Sequence, residues 1–305
     1  MGSPAGKVIA IVGPTSAGKT ALALALAEHM PIEVVSADSR TVYRWMDIGT
    51  AKPTLEERRQ LPHHLIDVVD PDEPYTLAVY QRQALEAIER ISQRGRVPLL
   101  VGGAGLYVSA VCEGLALPDV PPDPAFRAHL ETRARVEGWQ SLQAELARVD
   151  PESAVRIDPK NVRRVIRALE VFSATGRKFS EFQTPAPDWP VSCVLIGLRL
   201  DRDVLNARIA ARIDAWIAGG FIDEVRGLLE RGYSPSLPSM SGLGYREVAQ
   251  YLSDVLDLAT AVAQFKNATR QYAKRQMTWF AARPAVHWLD ADAIDMDEVL
   301  RLLTS

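Results

Sequence analysis

The most specific chemistry in the 305-residue chain sits near its start, in Gly13-Pro14-Thr15-Ser16-Ala17-Gly18-Lys19-Thr20. This run fits G-x-x-x-x-G-K-[ST], the phosphate-loop signature of nucleotide-binding proteins. Gly18 lets the backbone approach an anion without a side chain in the way. Backbone N–H groups at a helix start surround a phosphate oxygen, and the helix dipole adds to the field. Lys19 supplies a point charge, and Thr20 offers a hydroxyl to Mg²⁺. A second candidate is Asp38, in Ser36-Ala37-Asp38-Ser39. A carboxylate beside a bound polyphosphate either holds a metal or moves a proton; its ordinary alternative is to cap the following turn. Arg208 and Arg212, four residues apart, share one side of a helix beside Leu205, Ile209, Ile213 and Trp216. They either reach the anion or join Asp201, Asp203 and Asp214 in a solvated face.

The elements that must position these groups are legible as apolar runs. Strands are expected at about Lys7–Val12, Ile32–Asp38, His64–Val69 and Val97–Gly103, with helices at about Lys19–His29 and Thr76–Gln93. Strands alternating with helices, each strand nearly continuous in apolar residues, imply a parallel sheet buried on both faces. In such a sheet ligands gather outside the carboxyl ends of the strands, which turns Asp38 toward the glycine loop.

The rhythm breaks at Leu117–Phe126, where four prolines fall within ten residues. From there to about Pro190 the chain reads as helix only. It returns to the sheet at Val191–Leu200, followed by long helices at about Asp201–Glu230 and Ala259–Phe280, a last strand "AVHWLD" and a closing helix. The expected fold class is therefore α/β, a P-loop NTPase-like parallel sheet flanked by helices. Residues 1–117 and 190–305 form the catalytic core, and residues 118–189 form an all-helical insertion domain.

Net charge is −3, which argues against a general nucleic-acid coat while leaving room for local patches. No apolar run is long enough for a membrane span, and the first apolar run lacks the pattern of a signal peptide. The expected location is the cytoplasm. Cys112 and Cys193 read as separate buried small hydrophobes in a reducing compartment. His63 and His64 are adjacent, and no Cys/His grouping has structural-zinc spacing. An ATPase or kinase is disfavoured because "PLLVGG" ends in glycines where a second acid for Mg²⁺ is expected. The guanine-reading N-K-x-D tetrad is missing as well.

With "SADS" the chain resembles the tRNA dimethylallyltransferases, also called tRNA isopentenyltransferases. The resemblance rests on "GPTSAGKT", "SADSRTVYRWMDIGTAKP", "VGGAGLY", "RRVIRALEVF", "GLGYREV" and "TRQYAKRQMTWF", from about Val8 to Asp290. It implies transfer of a dimethylallyl group from dimethylallyl diphosphate to N6 of the adenosine just 3′ of the tRNA anticodon, position 37. The loop, Lys19 and Mg²⁺ would neutralise a leaving diphosphate. Asp38 would be the general base for the amine, helped by Thr15 or Ser16. By resemblance the helix of Arg208 and Arg212 reaches the diphosphate.

RNA contacts are expected from Asp38, Ser39, Arg40, Thr41 and Ala104. Further contacts come from Arg127 and the cluster Arg163, Arg164 and Arg167 in the insertion. The C-terminal block adds Arg270, Lys274 and Arg275, interleaved with Tyr272 and Trp279. Trp279 and Phe280 themselves read as core. The sequence departs from the family pattern at Ala104 (a threonine is usual), Thr41 (a glutamine) and Trp45 (a glycine). Trp45 is expected to reshape the wall of the substrate channel. The partners implied are dimethylallyl diphosphate and the tRNA anticodon stem-loop, with no membrane, and the protein is expected to act as a monomer. The alternatives are a P-loop small-molecule or nucleoside kinase, or an RNA-binding module without turnover.

Overall fold

The computed structural model describes residues 7–182, 184–186 and 189–304. The chain opens with β1 (Lys7–Val12), α1 (Lys19–Ala27), β2 (Ile32–Ser36), α2 (Leu55–Gln60) and β3 (His63–His64). It continues with α3 (Leu77–Gln93), β4 (Val97–Gly102) and α4 (Gly105–Cys112). Four helices follow: α5 (Pro124–Glu137), α6 (Trp139–Val149), α7 (Pro151–Arg156) and α8 (Val162–Thr175). Then come β5 (Ser192–Arg199), α9 (Arg202–Ala218), α10 (Phe221–Glu230), α11 (Tyr245–Leu252), α12 (Leu258–Ala281), β6 (Val286–Asp290) and α13 (Met296–Thr304).

All strand pairings are parallel, in the order β3-β2-β4-β1-β5-β6. The apolar runs dictate this: five of the six β1 residues are buried, as a strand covered on both faces requires. On one side Ile9, Ile11, Leu99 and Ile196 pack with Leu22 and Leu26 of α1 and Val299 of α13. A second core gathers Val42 and Met46 with Ile209, Ile213, Phe221, Tyr245 and Phe265, fixing α9 to α12 against the segment after β2.

The chain divides into two compact units. One holds Met1–Tyr75, Arg82–Cys112 and Pro190–Ser305; the other holds Thr76–Gln81 and Glu113–Trp189. The second is helical and has its own core of Leu130, Leu142, Leu146, Val165, Ile166 and Leu169. Three of its helices start on side-chain caps, α5 on Asp123, α7 on Asp150 and α8 on Asn161, while α6 starts at Gly138 without one. Asp150 is fully buried and also accepts from the Ser180 amide and hydroxyl, which ties down the 3₁₀ turn Phe179–Phe182.

Three expectations are corrected. The strand expected at His64–Val69 is only the two-residue β3, because Leu65 and Asp67 adopt left-handed backbone (φ 62° and 57°) that no strand continues. The helix expected at Asp201–Glu230 is broken into α9 and α10 at Gly219-Gly220, where Gly220 has φ 101°. Cys112 and Cys193 are not separate buried hydrophobes. The end of α4 meets the start of β5 with 5.4 Å between Cα atoms, and the two half-buried residues form a disulfide across 81 positions.

Candidate active site

The loop of residues 13–18 joins β1 to α1 at the carboxyl end of the sheet. Gly13 holds φ 140°, and a Cβ there would lie 2.7 Å from the Leu198 carbonyl oxygen on β5, so no side chain fits. Lys19 folds back over the loop, its Nζ donating to the carbonyls of Gly13 (3.0 Å) and Pro14 (2.7 Å). Burial pulls the Lys19 pKa down to about 8; the Asp38 carboxylate pushes it back up and the Arg212 guanidinium lowers it further. Among the described residues no carboxylate is bonded to this ammonium. It is a charge held ready for an anion.

Asp38 follows β2 and lines a cavity of about 610 Å³ together with Thr15, Ser16, Gly18, Lys19 and Thr20. Its Oδ1 accepts the Arg40 amide at 2.7 Å. Capping the turn and facing the cavity are thus compatible, one oxygen serving the backbone. Arg40 also lines the cavity, but its guanidinium braces the carbonyls of Pro238 and Ser239. The Thr41 hydroxyl is bonded to the Ser36 hydroxyl at 2.9 Å. Ser39 completes this wall. Ala104 lies outside the lining, with its amide donating to the Ala37 carbonyl at 3.3 Å.

The next wall, Gly49 to Ala51, is held from two sides. The Glu224 carboxylate accepts the amides of Asp47 (2.9 Å), Ile48 (2.7 Å) and Gly49 (3.3 Å) and the Tyr245 hydroxyl (2.6 Å). On the other side the buried Lys52 bonds Asp47, Asp67 and the Tyr43 carbonyl. Trp45, expected to reshape a channel wall, is not in the lining. It is exposed, has φ 66°, and lies under Arg231 with 4.4 Å between guanidinium carbon and ring centroid. A positive φ is the backbone that glycine adopts most readily, so the tryptophan is held there against its preference.

The two arginines of α9 separate. Arg212 lines the cavity, and burial lowers its pKa. Arg208 is exposed, lies outside the lining and pairs with Asp292. From α12, Tyr272, Arg275 and Gln276 line the cavity, whereas Arg270 and Lys274 are exposed elsewhere on the helix. Sequence reasoning gave Gln276 no role. Its side chain accepts the Thr15 amide (2.9 Å) and donates to the Gly103 carbonyl (2.9 Å), coupling the phosphate loop to the end of β4. A Cβ on Gly103 would lie 2.0 Å from its Nε2, which accounts for a glycine in "VGG". The one sequence signal for Gln276 is its place within the family-like motif "TRQYAKRQMTWF".

His63 also lines the cavity, its Nδ1 paired with the Leu61 carbonyl and its pKa lowered by burial, while His64 turns to Glu33. Among the described residues no group of three or more His, Cys, Asp and Glu is arranged to hold a metal. Beside the phosphate loop the lining offers oxygen donors in the Asp38 carboxylate and the hydroxyls of Thr15, Ser16 and Thr20, while the other carboxylate in the lining, Glu57, accepts the Thr54 amide at its own helix start.

In the helical unit the expected RNA arginines form two classes. Arg127 makes a two-pronged contact with Glu170 (2.7 Å each), and Arg167 bonds the same carboxylate (2.5 Å) and the Val120 carbonyl (2.9 Å). Burial alone would push the Glu170 pKa up, but bonds from Arg127, the Asp123 amide and Arg167 outweigh it and hold it down. Arg163 and Arg164 are exposed, and no ion pair engages them among the described residues.

No helix among the described residues is long and apolar enough to cross a membrane. Residues 41–283 match the family model for IPP transferase, and residues 6–67 match that for isopentenyl transferase. A tRNA dimethylallyltransferase of Roseiflexus castenholzii is 55% identical, over 95% of this chain and 94% of the relative. One from Thermomicrobium roseum is 50% identical, over 96% and 89%. Among solved structures, the full-length tRNA isopentenylpyrophosphate transferase of Bacillus halodurans matches with a TM-score of 0.72 at 42% identity, over 98% of this chain and 94% of the other. A eukaryotic dimethylallyltransferase acting on tRNA matches with a TM-score of 0.77 at 28% identity, over 96% and 75%.

Proposed function

The chain belongs to the tRNA dimethylallyltransferase (IPP transferase) family, and from that premise we propose how it works. It transfers a dimethylallyl group from dimethylallyl diphosphate to N6 of adenosine 37 in tRNA and releases diphosphate. One observation carries the reading: Asp38, Lys19 and Arg212 share a single cavity in which the two cations have no bonded carboxylate among the described residues.

The diphosphate sits on the loop 13–20, with Lys19 leaving the carbonyls of Gly13 and Pro14 to meet it. Arg212 adds a second positive charge, so the C–O bond breaks with its electron pair going to a neutralised leaving group. The amine nitrogen forms the new C–N bond, and its proton passes to the Asp38 oxygen not used by the Arg40 amide. Gln276 holds the loop in register throughout. Mg²⁺ fits the oxygen donors facing the cavity, with the Thr20 hydroxyl as its holder, and when bound supplies further charge neutralisation of the diphosphate.

The adenine must leave its stack to reach Asp38, at a cost of roughly a few kcal/mol. Arg163 and Arg164 of the helical unit contact the RNA backbone, whereas Arg127 and Arg167 serve Glu170. The protein acts in the cytoplasm as a monomer. Incubation with labelled dimethylallyl diphosphate and unmodified tRNA tests the reading, and label in the RNA is the expected result. Label moving from γ-phosphate of ATP instead would make it a kinase, and RNA binding without turnover would make it a binding module.

A further inference from the structure

Helix α12 carries Lys266, Arg270, Lys274 and Arg275 and no acidic residue in its 24 positions. Lys266 is neutralised by Asp214, while the other three are exposed. One face of this helix begins in the cavity with Tyr272 and Arg275. Steps of four lead from Arg275 to Trp279 and on to Arg283, just past the helix end, so the same face runs outward from the site.

Trp279 was expected in the core. Phe280 is fully buried, but Trp279 is 37% exposed. Its indole rests against α4 at Gly105, where a Cβ would lie 2.1 Å from the ring. The Arg283 guanidinium carbon sits 4.6 Å from the ring centroid, fixed by bonds to the Trp279 carbonyl and the Ser109 hydroxyl. The next residue of α4, Leu106, is 47% exposed. A large ring clamped in this way loses little side-chain entropy on binding.

We propose that Trp279, backed by Arg283 and flanked by Leu106, is a stacking shelf for the unpaired nucleobase adjoining the adenosine that enters the cavity. The inference rests on the cavity being the tRNA prenylation site and adds a subsite to it. A flipped base leaves its neighbour unstacked, and an aromatic ring with a guanidinium plane replaces the lost stack. The acid-free helix suits the flanking phosphates, and the exposed ring with its guanidinium suits a base face; single-stranded RNA offers both together, which an acidic or an apolar protein surface does not.

The test uses the full chain and anticodon stem-loops carrying 2-aminopurine on either side of the target adenosine. Wild type and Trp279→Phe quench one of the two probes on binding, and Trp279→Ala restores its emission. The KM for tRNA rises about tenfold in Trp279→Ala, with the KM for dimethylallyl diphosphate moving far less, and Trp279→Phe rescues it. Leu106→Glu, at an exposed position, gives a second variant independent of the Trp279 contact and also raises the tRNA KM. A tRNA KM unmoved by Trp279→Ala and Leu106→Glu, or no probe that responds to residue 279, overturns the shelf while wild-type turnover still stands. Absence of wild-type prenylation would overturn the reading of the cavity itself.

Discussion

Arg212 of the α/β unit and Arg127 of the helical unit are both half-buried, yet they are held in opposite ways. Arg127 grips Glu170 with two bonds and shares that carboxylate with Arg167, so its charge is neutralised inside the fold. Arg212 faces the cavity beside Lys19, and the pKa values of both are lowered by burial. A buried cation is stable only when paired, and one left without a carboxylate costs folding energy that a ligand later recovers. The difference separates charges that hold structure from charges that wait for substrate. Mutations can break that division.

The largest effect is expected at the one acid among the waiting groups. Asp38→Ala lowers kcat by about a thousandfold if the carboxylate takes the amine proton, while gel-shift affinity for tRNA stays within a few-fold. Single-turnover transfer of labelled substrate measures it, and near-normal turnover would remove Asp38 as base. Next is the contrast within α9. Arg212→Ala lowers kcat/KM for dimethylallyl diphosphate by about a hundredfold, as expected for a donor to developing charge. Arg208→Ala changes it by less than about threefold, since its pair with Asp292 is half-exposed. The reverse ranking would move the diphosphate along the helix.

The helical unit sharpens the comparison from the other side. Arg163→Glu with Arg164→Glu raises the KM for tRNA by at least about tenfold and reduces the salt slope by about two, with the unfolding midpoint unchanged. Arg127→Ala does the opposite. It strips a buried carboxylate of a partner, costs about 1–3 kcal/mol of stability, and leaves the KM for tRNA within about threefold. Because Glu170 titrates below its ordinary range in the fold, the stability it brings is present at neutral pH. That stability is lost as acid protonates it below the unfolded glutamate value. Arginines 127 and 163 behaving alike in both assays would erase the two classes.

What was legible in the sequence follows the same line. The phosphate loop is one contiguous motif, and Asp38 sits at the tip of an apolar run, so both could be placed without coordinates. The pairing of Arg127 with Glu170 spans 43 residues, the disulfide spans 81, and the Gln276 bond to Thr15 spans 261; no local pattern encodes any of them. The failed strand after His64 has a different cause. "HLIDVV" satisfies the apolar pattern, but Leu65 and Asp67 take left-handed backbone that side-chain type does not announce. Trp279 misled for the converse reason: an aromatic next to a buried Phe280 reads as core, and only the acid-free face it shares with the cavity says otherwise.

The smallest effect tests the waiting charge at its most sensitive point. Burial pulls Lys19 down to about 8, so in the free protein its ammonium is lost as pH rises through that value. Diphosphate binding needs the protonated form, and the apparent affinity falls with the protonated fraction. The KM for dimethylallyl diphosphate therefore doubles, about twofold, near pH 8 and climbs further above it, while kcat at saturation changes less because bound anion restores the proton. Asp38→Asn removes the nearby charge that holds the Lys19 pKa up, so the inflection in KM moves to lower pH even though turnover is nearly gone; equilibrium binding of the diphosphate reads it. An inflection that stays put in Asp38→Asn would mean that the two groups do not feel one another, and the waiting charges would no longer form one site.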